Sequence, residues 1–268
     1  MFLCPQWYGR RFTGDPADRD ARRRADAAAP YKKLAASVQL LTGSLPPSRR
    51  DPDDGFASTA ELESYFEQAR RAMSTYSFGS VVGELMQRRG FTLARRGEPI
   101  PADPWTQWVY QYIERVRDPE TGLLSGKGND PVDRMNGLFK LSCSTFWRDN
   151  LPNRHARKLI DLLLKLADRR EGFGHDCADY NATMMLSRYC KQEGGYRVHE
   201  VLERLMTILP QRLESRRQPD GGFSFHPHGC ITQLNHVKVA DPARESDLVG
   251  TGQQVTVMND LEALFELV

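Results

Sequence analysis

The fold is decided by a stretch that reads Gln218-Pro219-Asp220-Gly221-Gly222-Phe223. Two related stretches precede it, Asp118-Pro119-Glu120-Thr121-Gly122-Leu123 and Arg170-Glu171-Gly172-Phe173. Each places a glycine before a large apolar residue, at positions 122, 172 and 222, so the spacing is 50 residues both times. Because each stretch ends one amphipathic helical pattern and precedes another, the sequence predicts helical hairpins that repeat and bury their apolar faces by stacking.

Helical periodicity extends over most of the chain on both sides of these turns. Ser58 begins a helix with a capping box, because Glu61 follows three residues later. Asp-Pro pairs at 103–104, 130–131 and 241–242 are expected to begin further helices. Apolar residues at three- and four-residue steps predict helices at about 77–89, 104–117, 131–148, 153–169, 177–192, 196–216 and 250–267. No segment has a convincing strand pattern, so the predicted class is all-α.

Two regions differ in composition. Residues 1–55 hold a polar helical pattern from about 16 to 42 and a proline-rich linker from Gly43 to Gly55. Residues 56–268 hold the repeats and form the predicted hairpin domain. We therefore expect an N-terminal helical segment with its linker, followed by a single repeat domain.

Charge and cysteine content limit the possible classes of function. The formal net charge is +2, which gives no electrostatic reason to expect nucleic acid as a partner. Five cysteines at irregular spacing, without a CxxC pair, argue against a disulfide framework or a zinc ribbon. No segment approaches the roughly 20 apolar residues of a transmembrane helix, and the N-terminus does not resemble a signal peptide. The sequence predicts a cytoplasmic protein.

The turns resemble a known repeat. Gln218-Pro219-Asp220-Gly221-Gly222-Phe223-Ser224 is similar to the signature turn of the prenyltransferase and squalene-cyclase repeat, and residues 118–123 resemble a degenerate copy. The resemblance covers about residues 104–268. It implies an α/α-toroid, a barrel of helical hairpins whose central cavity opens between these loops. The wider group includes protein prenyltransferases, class II terpene cyclases and, more distantly, glycan lyases and hydrolases.

The chain departs from these families in two places. The acid motif of class II cyclases is matched only by Asp51-Pro52-Asp53-Asp54, which stands in the linker rather than in a repeat. The zinc-binding Asp, Cys and His of protein prenyltransferases have counterparts in Asp176, Cys177 and a downstream His, but the spacing differs. The sequence therefore requires no cofactor, and it leaves Mg²⁺ or Zn²⁺ open.

The densest polar cluster follows the second turn and reads Gly174-His175-Asp176-Cys177-Ala178-Asp179-Tyr180-Asn181. Asp176 and Asp179 are about one helical turn apart at a helix start, so both carboxylates can face one cavity. His175 beside them can relay a proton near neutral pH. We predict four catalytic residues, namely Asp176, Asp179, His175 and Tyr180. The structural alternative is that Asp176 caps the helix and Asp179 complements its dipole.

A second set of polar residues is predicted to bind substrate. Asp133, Asn136 and Asp247 stand at the helix starts after the first and third turns, in places that correspond to Asp176 and Asp179. Asn181 belongs to the cluster after the second turn. His226 and His228 lie in a long loop that we expect to pack over the mouth of the barrel; a His-x-His pair alone is a weak metal signal, and no metal ligand is assigned.

These observations support three alternatives. The first is an isoprenoid-handling enzyme, a terpene cyclase or prenyltransferase-like protein, with acidic residues at the mouth of the barrel. The second is a glycan-active lyase or hydrolase on the same scaffold, for which His175, Tyr180 and Asn181 form the natural set. The third is a non-catalytic helical-repeat binding module. A deep aromatic pocket favours the first, an open polar cleft the second, and no pocket the third.

Overall fold

The computed structural model describes residues 58–128, 130–169, 172–174, 177–227, 229–234 and 237–268. The predicted N-terminal segment and its whole linker, including Asp51-Pro52-Asp53-Asp54, lie outside these residues. The described part confirms the all-α class. It holds eight α-helices: α1 (Thr59–Ala72), α2 (Thr75–Arg96), α3 (Pro104–Arg115), α4 (Pro131–Ser144), α5 (Ala156–Ala167), α6 (Ala178–Gln192), α7 (Val198–Arg216) and α8 (Leu248–Phe265). A 3₁₀ turn (Ile100–Ala102) precedes α3, and a two-residue antiparallel strand pair, β1 (Gln233–Leu234) and β2 (Val237–Lys238), lies between α7 and α8.

Side-chain caps fix most helix starts where the sequence predicts them. The Ser58 hydroxyl accepts a hydrogen bond from the Glu61 N–H, and Asp103 and Asp130 cap α3 and α4, each with proline at the first helical position. The helix predicted at Asp241-Pro242 is wrong. The carbonyl of Ala243 accepts a hydrogen bond from the Cys230 N–H, which pairs this segment with the preceding loop, and α8 begins only after Asp247.

One helix end is also later than the sequence suggests. Helix α2 continues through Gly90 to Arg96 and ends at Gly97, which adopts φ +68°. A glycine inside a helix costs about 1 kcal/mol relative to alanine, which tertiary packing readily offsets. Gly97 is the residue that stops the helix, because its left-handed backbone suits glycine.

The helices pack in two rows. The even row consists of α2, α4, α6 and α8, in which each helix packs on the next. The odd row consists of α1, α3, α5 and α7, in which α1 contacts α3 and α5 contacts α7. The rows join within hairpins, because α1 packs on α2, α5 on α6, and α7 on α8. This alternation is what a stack of helical hairpins produces.

Helices α2 and α4 make a contact of backbone against backbone. A Cβ atom added to Gly79 would lie 2.0 Å from the carbonyl oxygen of Gly137, and one added to Gly137 would lie 2.3 Å from that of Thr75. Gly83 approaches the carbonyl of Lys140 in the same way, at 2.9 Å. Only glycine permits this approach, so these residues set the distance and the parallel register of the two helices.

A continuous apolar core fills the space between the rows. Seven aromatic residues of α3, α4 and the turn just after α4 are buried in this core or packed half-buried against it: Trp105, Trp108, Tyr110, Tyr112, Phe139, Phe146 and Trp147. Cys143 and Cys190 are buried as well, and burial raises the pKa of the Cys190 thiol to about 11. Such a thiol is a packing residue rather than a nucleophile. Within the described residues, no helix combines the length and apolar character needed to cross a membrane.

Candidate functional site

The three glycine turns are contacted by residues from the start of α4 and from the end of α7. In the first turn, Arg134 at the start of α4 donates to the carbonyl of Leu124 and to Asp118. In the second, Gly174 lies beside Val132 of α4, and its carbonyl accepts a hydrogen bond from Arg212 of α7. Arg216, one helical turn further along α7, donates to the carbonyl of Phe225 after the third turn. The candidate site lies along this edge.

The turns differ by one residue in length. The N–H of Asp118 donates to the carbonyl of Leu123, whereas that of Gln218 donates to the carbonyl of Gly222. The left-handed residue of the third turn is therefore Gly221, at φ +88°, and not Gly222 as the fifty-residue spacing implies. Gly222 is required for another reason, because a Cβ there would lie 2.6 Å from the side chain of Ser246.

Asp133 and Asn136 both make contacts to neighbouring helices of the even row. The Asp133 carboxylate accepts a hydrogen bond from the N–H of Tyr76 at the start of α2. The amide oxygen of Asn136 accepts one from Asn181 of α6, at 2.8 Å. These two predicted substrate-binding residues thus connect α4 to α2 and to α6, while the remaining oxygen of Asn181 is buried without a hydrogen bond from the described residues.

Asp179 lies in a buried cluster of charges. Its carboxylate is 3.6 Å from the guanidinium of Arg212 and 3.8 Å from that of Arg216. Arg216 is 2 % exposed, and it also donates hydrogen bonds to the carbonyls of Phe225 and Arg212. The expected partner carboxylate, Asp176, lies outside the described residues, as does His175. Among the described residues, Asp179 is therefore matched with two cations instead of a second acid.

Asp247 acts as a structural cap. One carboxylate oxygen accepts from the Gly250 N–H, and the other accepts from the N–H groups of Phe225 and Ile231. Three backbone donors converge on this side chain, so it fixes the start of α8 and the loop after the third turn. Both oxygens are thus engaged by backbone donors, and the substrate-binding role of Asp247 stays a prediction.

The loop after the third turn is anchored through its backbone. Residues His226 and Gly229 pair as an isolated bridge, and the Phe225 ring meets the exposed His226 ring edge to face at 4.8 Å. His228 lies outside the described residues. Among the residues that are described, no group of three or more His, Cys, Asp or Glu side chains is placed to hold a metal ion.

Sequence reasoning missed Lys140. Its side chain is 8 % exposed, and the described residues supply no hydrogen-bond acceptor to its ammonium group. The ammonium nitrogen lies 5.6 Å from the centre of the Tyr76 ring and 5.9 Å from that of Phe139. The sequence spacing could have indicated that Lys140 lies on the same face of α4 as two predicted site residues. Asp133, Asn136 and Lys140 follow one another at steps of three and four residues.

Aromatic rings continue this face along the even row. Tyr180, which is buried, packs edge to face on Phe139 at 5.5 Å. Trp147, after α4, meets the Phe139 ring and also carries the guanidinium of Arg188 over its face, at 4.9 Å. The result is a band in which the buried ammonium of Lys140 and the exposed guanidinium of Arg188 lie near aromatic faces, an arrangement that stabilises positive charge.

A groove of 480 Å³ lies elsewhere, along α1. It is lined by Ser64, Glu67, Gln68, Arg71 and Ala72, and none of the predicted site residues contributes to it. The lining residues that the structure describes all come from this one helix of the odd row. We therefore place the candidate site at the Lys140 face and not at this groove.

Comparison with known proteins identifies no relative. No protein-family model, no curated protein and no solved structure matches the chain.

Proposed function

We propose that this protein is an enzyme of the α/α-toroid type that binds an anionic isoprenoid, a prenyl diphosphate, against the Lys140 face of the even row. The observation that carries this proposal is the buried ammonium group of Lys140, which has no hydrogen-bond acceptor among the described residues. The resemblance of the glycine turns to the prenyltransferase and squalene-cyclase repeat supports the choice of an isoprenoid.

A buried ammonium needs an acceptor or a compensating charge. The rings of Tyr76 and Phe139 compensate in part, since each presents its negative face to the cation. A phosphate oxygen would complete the arrangement by supplying the missing acceptor. The rings of Phe139 and Tyr180 adjoin this lysine and are buried, so a prenyl chain would contact them when this face of the even row opens.

The carboxylates favour prenyl transfer over proton-initiated cyclisation. A cyclase of that kind needs a carboxylic acid with a proton to give. Asp133 and Asp247 accept backbone hydrogen bonds, and Asp179 faces two guanidinium groups. Among the described residues, these three predicted site carboxylates are thus engaged with backbone donors or guanidinium groups, and we assign them to the positioning of helices and turns.

The second candidate is an enzyme that acts on an acidic glycan. Asn181 carries a buried amide oxygen without a hydrogen bond from the described residues, and a sugar hydroxyl would supply the missing donor. The carboxylate of a uronic acid would pair with Lys140, one helical turn from Asn136 and its partner Asn181. Both candidate ligands would therefore pair with Lys140. Only the glycan would also donate a hydrogen bond to the buried amide oxygen of Asn181.

Calorimetric titration separates these candidates. We expect farnesyl diphosphate to bind more tightly than farnesol, and Lys140→Met to weaken the diphosphate complex by at least about tenfold. Lys191→Met is the matched control, since Lys191 is an exposed lysine of α6. Equal affinity for the diphosphate and the alcohol, or an unchanged complex in Lys140→Met, would contradict the proposal.

The same variants test the alternatives. Lys140-dependent binding of a uronic-acid oligosaccharide, without binding of the diphosphate, would favour the glycan enzyme. If neither ligand binds, the non-catalytic repeat module is favoured. Melting temperature separates a structural lysine from a ligand-binding one: we expect Lys140→Met to melt no lower than the parent, because it removes a buried charge that has no acceptor.

A further inference from the structure

The outer face of α8 is apolar. Seven large hydrophobic side chains are exposed in the described part of the chain, and five of them belong to α8 or the residues just after it. These five are Leu248, Val255, Met258, Phe265 and Val268, with exposed fractions from 40 % to 75 %. The exposed apolar surface is therefore concentrated on one element. Exposed apolar residues that have no special role are usually scattered singly over the surface.

Four of these side chains form a stripe along the helix. Leu248, Val255, Met258 and Phe265 follow one another at steps of seven, three and seven residues, so they share one face. The buried residues of α8, including Val257 and Leu264, lie on the opposite face, where α8 packs on α6 and α7. Helix α8 is thus the end of the even row, and the end repeat of such a stack normally presents a polar outer face.

The charge around this stripe limits what can cover it. Residues 245–268 contain five acidic side chains and no lysine, arginine or histidine: Glu245, Asp247, Asp260, Glu262 and Glu266. A second copy of α8 would bring like charges together along the same face. A basic amphipathic segment would instead match the stripe in both polarity and charge.

We propose that residues 16–42 of this chain cover the α8 stripe. These residues lie outside the described part, and their sequence provides the matching pattern. Tyr31, Leu34, Val38 and Leu41 recur at steps of three, four and three residues. The segment carries six basic and three acidic side chains, a net charge of +3 against the −5 of residues 245–268.

The linker between this segment and the repeat domain has a long reach. Residues 43–57 connect the segment to the start of α1 and can span up to about 50 Å when extended. A helix from Tyr31 to Leu41 would be about 15 Å long and would fit within the stripe, which runs for about 25 Å from Leu248 to Phe265. This contact would bury the apolar stripe of α8 at the end of the even row.

Hydrogen exchange of the full-length protein tests this proposal. We expect the amides of residues 31–42 to exchange at least about a hundredfold more slowly than an unstructured chain. The Met258→Asp substitution should make their exchange at least about tenfold faster than in the parent. Met206→Asp is the matched control. Met206 is 47 % exposed on α7, against 40 % for Met258 on α8. The control is expected to leave the exchange of residues 31–42 unchanged.

A reciprocal variant removes the segment's side of the contact. Val38→Asp should lower the protection of residues 31–42 as Met258→Asp does, without changing the helical circular dichroism of the repeat domain. Free exchange of residues 31–42 in the parent would overturn the proposal, and so would equal protection in Met258→Asp and Met206→Asp. A dimer that dissociates in Met258→Asp while residues 31–42 exchange freely would show that a second copy covers the stripe instead.

Discussion

Individual carboxylates at the turns each accept hydrogen bonds from several backbone N–H groups. Asp118 accepts hydrogen bonds from the N–H groups of Glu120 and Thr121 and from Arg134, while Asp247 accepts three backbone N–H groups. Burial alone would raise the pKa of Asp118, but these hydrogen bonds outweigh it and hold the pKa at about 2. At the residue scale, the acidic side chains of the turns therefore act mainly as acceptors that order the loops.

Asp118 should make stability depend on pH. Its pKa in the folded protein lies below the unfolded value of about 3.9, so its stabilisation is complete above about pH 4 and is lost as the pH falls through about 2. We expect Asp118→Asn to lower the free energy of unfolding by about 1–2 kcal/mol at pH 6 and by much less near pH 2.

Chemical denaturation of both proteins at the two pH values measures this difference. Glu120→Gln, which alters an exposed carboxylate of the same turn, should show almost no difference at either pH. If Asp118→Asn lowers the free energy of unfolding by the same amount at pH 6 and at pH 2, the stabilising role of the ionised Asp118 side chain is refuted.

At the scale of elements, the glycines of α2 differ in what surrounds them. A Cβ on Gly79 would meet the backbone of α4, whereas one on Gly90 would meet the end of the Arg148 side chain, at 2.5 Å. Backbone cannot yield without moving a helix, but a guanidinium group can turn aside. Two substitutions of the same kind in one helix should therefore differ in their effect.

We expect Gly79→Ala to destabilise the protein by about 2–3 kcal/mol, because the methyl group forces α2 away from α4. Gly90→Ala should change stability by less than about 1 kcal/mol, since the gain in helix propensity offsets the displacement of Arg148. Thermal and urea unfolding of the two variants provide the comparison. Similar losses in both would mean that the α2–α4 contact is not as close as described.

At the scale of the whole molecule, neighbouring hairpins are joined by buried charge. Asp179 of α6 faces Arg212 and Arg216 of α7, whereas Asp168 pairs with Arg204 at the surface, where its side chain is 56 % exposed. Removing one member of a buried group of charges leaves the others uncompensated, while a surface pair contributes little.

Asp179→Asn should therefore cost about 3 kcal/mol of stability, and Asp168→Asn less than about 0.5 kcal/mol. Denaturation curves of the two variants check this expectation. If Asp179→Asn retains full stability but loses a measurable activity, Asp179 would return to the catalytic role that the sequence suggested.

The sequence predicted the eight helices of the described part and the capped starts at Ser58, Asp103 and Asp130, because caps and periodicity are local. The Ser58 and Asp103 caps need only residues three positions away. It did not predict the buried position of Lys140 or the pairing of Asn136 with Asn181, which are 45 residues apart. Such contacts depend on how the helices pack, and the rings beside Lys140 come from two different helices.

The glycine contact between α2 and α4 also has a consequence for folding kinetics. Tyr76 and Asp133, at one end of this contact, are 57 residues apart in the chain, so docking the helices requires the closure of a long loop. A glycine surface has no side chains that can attract its partner before the backbones are correctly aligned. We therefore expect α2 to dock on α4 late in folding, after the rate-limiting barrier, so that Gly79→Ala accelerates unfolding and leaves the folding rate nearly unchanged.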